Sequence, residues 1–131
     1  MIAPKKKVLI VDDMERNRTS IKTFLFFFRF DATLATDGLE AKKILEKDGF
    51  DLIVTDLEMP VLNGFELLGV IRKSDRHKLV PVIVLSTLDT PEVKERCMKL
   101  GASAYMVKPF TSEKFEAALS ALKLLAPTTG K

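Results

Sequence analysis

The chain has 131 residues and a formal net charge of +3, because 21 Lys and Arg residues are set against 18 Asp and Glu residues. This length fits one domain, and a hydrophobic fraction of 47% with so small a net charge excludes a disordered chain. The single cysteine, Cys97, excludes a disulfide-stapled scaffold. The densest apolar stretch, residues 24–28, is far shorter than the roughly 20 residues that span a membrane. We therefore expect a soluble, cytoplasmic single domain over residues 1–131, with its core at about 6–125 and a flexible tail or linker start at 126–131.

Five short apolar runs recur along the chain, and polar residues follow most of them. Continuous apolar runs are typical of strands that are covered on both faces, as in parallel sheets. In chain order the runs occupy residues 7–11, 31–35, 52–55, 81–85 and 104–107, and the second is the weakest.

The segments between these runs carry helical patterns. The first helix is predicted over residues 15–28, where Ile21, Leu25 and Phe28 share one face. The second is predicted to end at Gly49, and the third follows Asn63 and Gly64. The last two helices are predicted to begin after the N-caps Thr90 and Thr111.

Strands that alternate with helices predict a doubly wound α/β fold, which is a three-layer sandwich around a five-stranded parallel sheet. In such sheets ligands bind at the carboxyl ends of the strands. The polar residues that follow the predicted strands are Asp12, Asp13, Asp56, Ser86, Thr87 and Lys108. Each of them alone has an ordinary alternative role as a helix cap, a turn residue, a loop hydroxyl or a surface charge. Their joint placement at strand ends predicts one common site.

Three carboxylates and one ammonium group would meet in this site. At a separation of about 4 Å and an effective dielectric of about 20, each pair of carboxylates repels by roughly 4 kcal/mol, so a cation must offset the repulsion. Mg²⁺ suits such hard oxygen ligands and leaves positions open for a phosphate oxygen. Lys108 would add a compact positive charge that also suits phosphate. The pattern therefore predicts a phosphate site that depends on a divalent cation.

Five motifs resemble those of two-component response-regulator receiver domains, the CheY-like family. They are V-D-D at 11–13, D-L-E-M-P at 56–60, N-G at 63–64, L-S-T at 85–87 and Y-M-V-K-P-F at 105–110. The resemblance covers about residues 6–125. It implies the flavodoxin-like (βα)5 fold and a phospho-accepting signalling switch rather than a turnover enzyme.

The resemblance also implies how the acidic residues would act. Asp56 would be the phosphoacceptor, which takes a phosphoryl group from a sensor histidine kinase or a phosphotransfer protein. Mg²⁺, or Mn²⁺, would be ligated by Asp13, Asp56 and the backbone carbonyl of Glu58. Asp12 would act as a metal-site residue mainly through a water molecule.

The remaining motif residues would bind the phosphoryl group and transmit its presence. Ser86, Thr87 and Lys108 would contact phosphoryl oxygens, and Tyr105 would act with Ser86 as the switch. The Lys108–Pro109 peptide bond would be cis. The output face, from about Thr90 to Leu125, would bind a downstream protein target, with a homodimer as a further possibility. Direct binding to nucleic acid or to a membrane is not expected.

An alternative from another functional class is a small phosphatase of the haloacid-dehalogenase type. Its motif also has an Asp at a strand end with an acid two residues on, as in Asp56 and Glu58. That motif usually follows the first strand and includes a second Asp as general acid, which makes this alternative the weaker one. A dinucleotide-binding module is disfavoured because no G-x-G-x-x-G follows any strand.

Several residues depart from the family pattern or stand outside it. Thr87 occupies a position where the family often has Ala or Gly, and its branched side chain would narrow access to the phosphoacceptor. Arg29 stands where a helix-ending Gly is common. Phe26 and Phe27 lie off the buried stripe of the first helix, so one of them is expected to fold back under a loop, unless the pair forms an exposed patch for a partner. His77 is expected to be a solvated loop residue.

Overall fold

Strands and helices alternate throughout residues 5–125, which are the residues that the computed structural model describes. The predicted tail at 126–131 lies outside this range. The strands are β1 (Lys6–Val11), β2 (Phe30–Ala35), β3 (Leu52–Thr55), β4 (Val82–Ser86) and β5 (Ala104–Val107). The helices are α1 (Glu15–Phe26), α2 (Gly38–Lys47), α3 (Gly64–Lys73), α4 (Pro91–Lys99) and α5 (Ser112–Ala121).

The five strands form one parallel sheet in the order β2-β1-β3-β4-β5. The chain order reverses beside β1, so the crevice between the ends of β1 and β3 is the topological switch point where doubly wound sheets bind ligands. Val11 pairs in register with Thr55. Asp12 and Asp56 therefore leave the sheet side by side.

The core lies on both faces of the sheet, because successive strand residues point to opposite sides. Leu9 and Val11 belong to a cluster with residues of α2, α3 and α4, whereas Val8 and Ile10 belong to a cluster with residues of α1 and α5. This two-sided burial explains why the strands read as continuous apolar runs. The predicted doubly wound (βα)5 sandwich is confirmed.

The end of α1 differs from the sequence prediction. The helix ends at Phe26 instead of Phe28, and Arg29 has a φ of 67°, the left-handed conformation in which a helix-ending Gly is common. Phe26 is 61% exposed and Phe27 is 77% exposed. The expectation that one of them folds back under a loop is wrong, and Lys5 Nζ lies 5.5 Å from the Phe26 ring centroid.

His77 was expected to be solvated, and this expectation is wrong, because its side chain is fully buried. The imidazole lies beside the Phe50 ring, and its Nδ1 is 3.3 Å from Ser74 Oγ. Arg72 closes the segment over it by donating hydrogen bonds to the carbonyl groups of Val80 and Gly101, both at 2.7 Å. Among residues 5–125, no helix is long and apolar enough to cross a membrane.

Candidate functional site

The three predicted carboxylates meet at the switch point of the sheet. Asp12 and Asp13 follow β1, Asp56 follows β3, and one carboxylate oxygen from each lies within 4.8 Å of the others. Asp12 and Asp56 are buried, whereas Asp13 is exposed. Such a set of oxygen atoms is the type of donor that binds Mg²⁺ or Ca²⁺.

Lys108 supplies the positive charge of the crevice. Its Nζ is 2.7 Å from Asp12 Oδ2 and 3.3 Å from Asp56 Oδ2, and its side chain is largely buried. The Lys108 N–H donates to the Ser86 carbonyl at 2.8 Å, which ties the end of β5 to the end of β4. The peptide bond from Lys108 to Pro109 is cis, as the motif implied.

Asp56 stands on a tightly held turn between β3 and α3. Burial raises the pKa of its carboxyl group, the charge of Lys108 opposes that rise, and the charge of Asp12 adds to it. One oxygen, Oδ1, accepts the Leu57 N–H at 2.7 Å. Gly64 at the start of α3 passes so close that a Cβ there would overlap the Asp56 carbonyl. This close approach explains the N-G motif, in which Asn63 caps α3.

The turn between β1 and α1 is held by residues that the sequence analysis did not single out. Asp12 Oδ1 accepts the Met14 N–H at 2.9 Å and Asn17 Nδ2 at 3.3 Å. The Asp12 carbonyl accepts Arg18 Nη1 at 2.7 Å. Their only sequence signal is a position in the first turn of the helix that follows the paired aspartates.

The hydroxyl groups at the end of β4 are held in different ways. Ser86 is buried, and its Oγ accepts the Leu88 N–H at 3.2 Å. Thr87 Oγ1 donates to Glu58 Oε1 at 3.4 Å. Tyr105 is half-buried and donates from its hydroxyl to the Leu88 carbonyl at 2.6 Å. Both Ser86 and Tyr105 therefore bind the same residue of the β4–α4 loop.

A cleft of about 710 Å³ opens beside the carboxylates. The polar residues that line it are Asp13, Arg16, Asn17, Ser20, Asp56, Glu58, Thr87 and Lys108. The structure thus brings the predicted carboxylates and Lys108 together and places Thr87 at the same cleft. Ser86 is fully buried and is not among the residues that line the cleft.

A family model of known proteins matches this arrangement. The model of the response regulator receiver domain matches residues 8–120, which is most of the chain. The chain belongs to this family. Members of the family are phospho-accepting signalling switches and not enzymes of the ordinary turnover kind, so the resemblance seen in the motifs is confirmed.

Curated relatives of this receiver domain are chemotaxis proteins and larger regulators. CheY-3 of Vibrio cholerae is 38% identical over 107 residues, covering 81% of this chain and 82% of that protein. The probable chemotaxis protein CheY of Rhizobium etli is 34% identical over 122 residues, covering 92% and 95%. The probable transcriptional regulator ycf27 of Porphyridium aerugineum is 35% identical over 113 residues, covering 86% of this chain. The chain spans about half the length of that regulator, 46%.

Solved structures show the same fold. CheY4 of Vibrio cholerae matches with a TM-score of 0.80 and 34% identity, covering 91% of this chain and 97% of that one. The receiver domain of the sensor histidine kinase PA1611 from Pseudomonas aeruginosa matches with a TM-score of 0.81 and 29% identity, covering 89% and 96%. That structure holds a magnesium ion in its active-site cleft.

Proposed function

We propose that this receiver domain accepts a phosphoryl group on Asp56. The observation that carries the proposal is the position of its carboxylate, which lies between two other carboxylates and the Lys108 ammonium at the switch point. In the transfer, an Asp56 carboxylate oxygen forms a bond to phosphorus while the bond from phosphorus to the donor breaks. The electron pair leaves with the donor, which is a histidine nitrogen of a kinase or phosphotransfer protein. An ionised carboxylate needs no general base for this attack.

The acidic cluster fits a divalent cation, because three carboxylates offer oxygen atoms within 4.8 Å of one another. Asp13, Asp56 and the Glu58 carbonyl would hold Mg²⁺ or Mn²⁺ directly, and Asp12 would act through a water molecule. When bound, the cation would neutralise charge on the phosphoryl oxygens. Asp12 already accepts from Met14 and Lys108, which agrees with an indirect role.

Lys108, Ser86 and Thr87 would bind the transferred phosphoryl group. Lys108 Nζ lies 3.3 Å from Asp56 Oδ2, so its charge is in place to meet a phosphoryl oxygen there. The Ser86 hydroxyl would leave the Leu88 N–H and turn toward the group. Leu88 also holds Tyr105, so movement of Ser86 would be felt by Tyr105, which we propose as the second half of the switch.

The output would be binding to a protein through the face from about Thr90 to Leu125. The donors upstream would be a sensor histidine kinase or a phosphotransfer protein, and we place the activity in the cytoplasm. We propose no direct contact with nucleic acid or membrane for this domain. The exposed pair Phe26 and Phe27 is a candidate surface for a homodimer.

Acetyl phosphate with Mg²⁺ tests the proposal. Intact-mass measurement should show one phosphoryl group on the wild-type protein and none on Asp56→Asn, which keeps the side-chain shape but removes the nucleophile. Asp75→Asn is the matched control, because Asp75 is fully exposed in the α3–β4 loop. We expect it to label like the wild type. Labelling of Asp56→Asn, or no adduct on the wild type from any donor or kinase, would contradict the proposal.

Turnover of p-nitrophenyl phosphate separates this function from the phosphatase alternative. A receiver domain forms a single aspartyl phosphate and should release almost no nitrophenol beyond that amount. Steady turnover that is lost in Asp56→Asn would favour the phosphatase instead.

A further inference from the structure

Asp13 stands between two peptide groups that are both held by hydrogen bonds. The peptide before it has its carbonyl, Asp12 O, bonded to Arg18 Nη1 at 2.7 Å. The peptide after it has its N–H, Met14 N, bonded to Asp12 Oδ1 at 2.9 Å. The Asp13 carboxylate itself is exposed and has no hydrogen-bond partner among residues 5–125. The backbone therefore sets the direction in which the Asp13 side chain leaves the chain.

Local helix capping does not hold this backbone. The N-cap of α1 is Met14, which makes no side-chain capping bond. The turn is held by the Asp12 side chain and by two side chains of α1, those of Asn17 and Arg18. Arg18 contacts the turn twice. Its backbone N–H donates to the Met14 carbonyl at 3.1 Å, and its guanidinium donates to the Asp12 carbonyl. Asn17 adds a weaker contact to Asp12 Oδ1 at 3.3 Å.

The Arg18 guanidinium donates to a main-chain carbonyl and not to one of the three carboxylates. None of the ion pairs found among the described residues involves Arg18, although the residue is partly buried and its guanidinium reaches the carbonyl of Asp12. A guanidinium that donates to a main-chain carbonyl restrains the orientation of that peptide, because the rigid planar group holds its donors in defined directions. Here the restrained peptide is the one between Asp12 and Asp13.

We propose that Arg18 is a positioning residue for the divalent cation. It would hold the Asp12–Asp13 peptide so that the free Asp13 carboxylate points into the cluster with Asp12 and Asp56. This inference rests on the cation site of the proposed function. Arg18 would not touch the cation or the phosphoryl group, and it would act only through the backbone of Asp13.

The charge of Arg18 and its proposed positioning role predict opposite effects of its loss on the affinity for a divalent cation. Removing a positive charge near three carboxylates should, by charge alone, strengthen the binding of a cation. Loss of a partner that orients a metal ligand typically weakens metal binding by 10-fold to 100-fold. If Arg18 positions Asp13, the substitution Arg18→Gln will weaken binding in spite of the favourable change in charge.

Calorimetric titration with Mn²⁺ of the unphosphorylated protein tests this. We expect Arg18→Gln to raise the dissociation constant about 10-fold. Lys22→Gln is the matched control, because Lys22 lies one turn further along the same helix, is exposed and does not line the cleft. It should bind Mn²⁺ as well as the wild type or slightly better. Asp13→Asn should lose most of the binding. Arg18→Lys, which keeps the charge but not the planar fork, should fall between the wild type and Arg18→Gln.

Labelling by acetyl phosphate gives a second readout. The Mn²⁺ concentration for half-maximal labelling of Arg18→Gln should rise about 10-fold, while the rate at saturating Mn²⁺ changes little. Equal or tighter Mn²⁺ binding by Arg18→Gln would overturn the inference and leave the proposed function intact. Failure of the wild-type protein to bind Mn²⁺ would overturn both. If circular dichroism shows that Arg18→Gln does not fold, the Mn²⁺ affinity of Arg18→Lys decides instead. An affinity equal to that of the wild type would then refute the positioning role of Arg18.

Discussion

Removal of the Lys108 ammonium group should leave two buried carboxylates without their counter-charge. Its Nζ lies 2.7 Å from Asp12 and 3.3 Å from Asp56. At an effective dielectric of about 20, these separations correspond to gross attractions of about 6 and about 5 kcal/mol. Much of that offsets the lost hydration of the three groups, and breaking a buried pair from one side typically costs about 3–5 kcal/mol. We expect Lys108→Met to lower the free energy of unfolding by about 3 kcal/mol at pH 8.

The loss should depend on pH in a defined direction. Burial already raises the pKa of Asp56 above its ordinary value of 3.8, and Lys108 opposes this rise. Without Lys108 the folded-state pKa of Asp56 rises further. Between its unfolded and folded pKa values the native state then binds more protons than the unfolded state, so stability falls as the pH rises through that window. The penalty of Lys108→Met should be smallest near pH 4 and largest at pH 8.

Urea unfolding followed by far-ultraviolet circular dichroism at several pH values measures this penalty. Lys99→Met is the matched control, because Lys99 is 76% exposed and lies 3.6 Å from Glu95 on the surface of α4. Such a surface pair contributes at most about 1 kcal/mol, so the control should be nearly neutral. A penalty for Lys108→Met that is equal at pH 4.5 and pH 8, or larger in acid, would refute the assignment of Lys108 as the counter-charge.

Four further predictions concern residues outside the site. Val61 has a φ of 70° and is 77% exposed, so Val61→Gly should raise the free energy of unfolding by about 1 kcal/mol, and a lower urea midpoint would contradict this. Burial lowers the pKa of His77, so stability should be lost as the pH falls below about 6.5. His77→Phe should make the free energy of unfolding less dependent on pH in this range, and an unchanged pH dependence would contradict this prediction. Phe26→Ser and Phe27→Ser should each lower the free energy of unfolding by less than about 1 kcal/mol. Phe115 is fully buried, so Phe115→Ser should lower it by more than about 3 kcal/mol. Light scattering on the variant in which both Phe26 and Phe27 are replaced by Ser tests whether this surface forms a homodimer. Association equal to that of the wild type would exclude a homodimer through this surface.

The architecture could be predicted because each strand is short, apolar on both faces and bounded by polar residues. The run 52–55 coincides with β3, and the run 104–107 coincides with β5. Helix starts were also readable, since Thr90 and Thr111 cap α4 and α5 through their own hydroxyl groups. These signals act over a few residues, which is the range at which sequence patterns report on backbone conformation.

His77 and Arg72 show where local patterns stop being informative. The polar segment that surrounds His77 reads as a surface loop, yet Arg72 bonds carbonyl groups of this loop and of Gly101 and draws them together. Gly101 lies 29 residues away from Arg72 in the chain. A contact between residues that are 29 positions apart leaves no periodic pattern in the sequence. The burial of His77 in this segment could therefore not be predicted from local patterns.

The same limit separates the residues of the site from the roles of their atoms. Strand ends were enough to predict that Asp12, Asp13 and Asp56 converge, because parallel strands in register end at one edge. The hydrogen bonds give the two aspartates different roles. The Asp12 carboxylate accepts hydrogen bonds from the Met14 N–H and from Lys108 Nζ, whereas the Asp13 carboxylate has no partner within residues 5–125. The buried acid of the pair therefore builds the turn, and the exposed acid is free to bind a ligand. Two adjacent aspartates that look equivalent in the sequence become different groups only once the turn between β1 and α1 is formed.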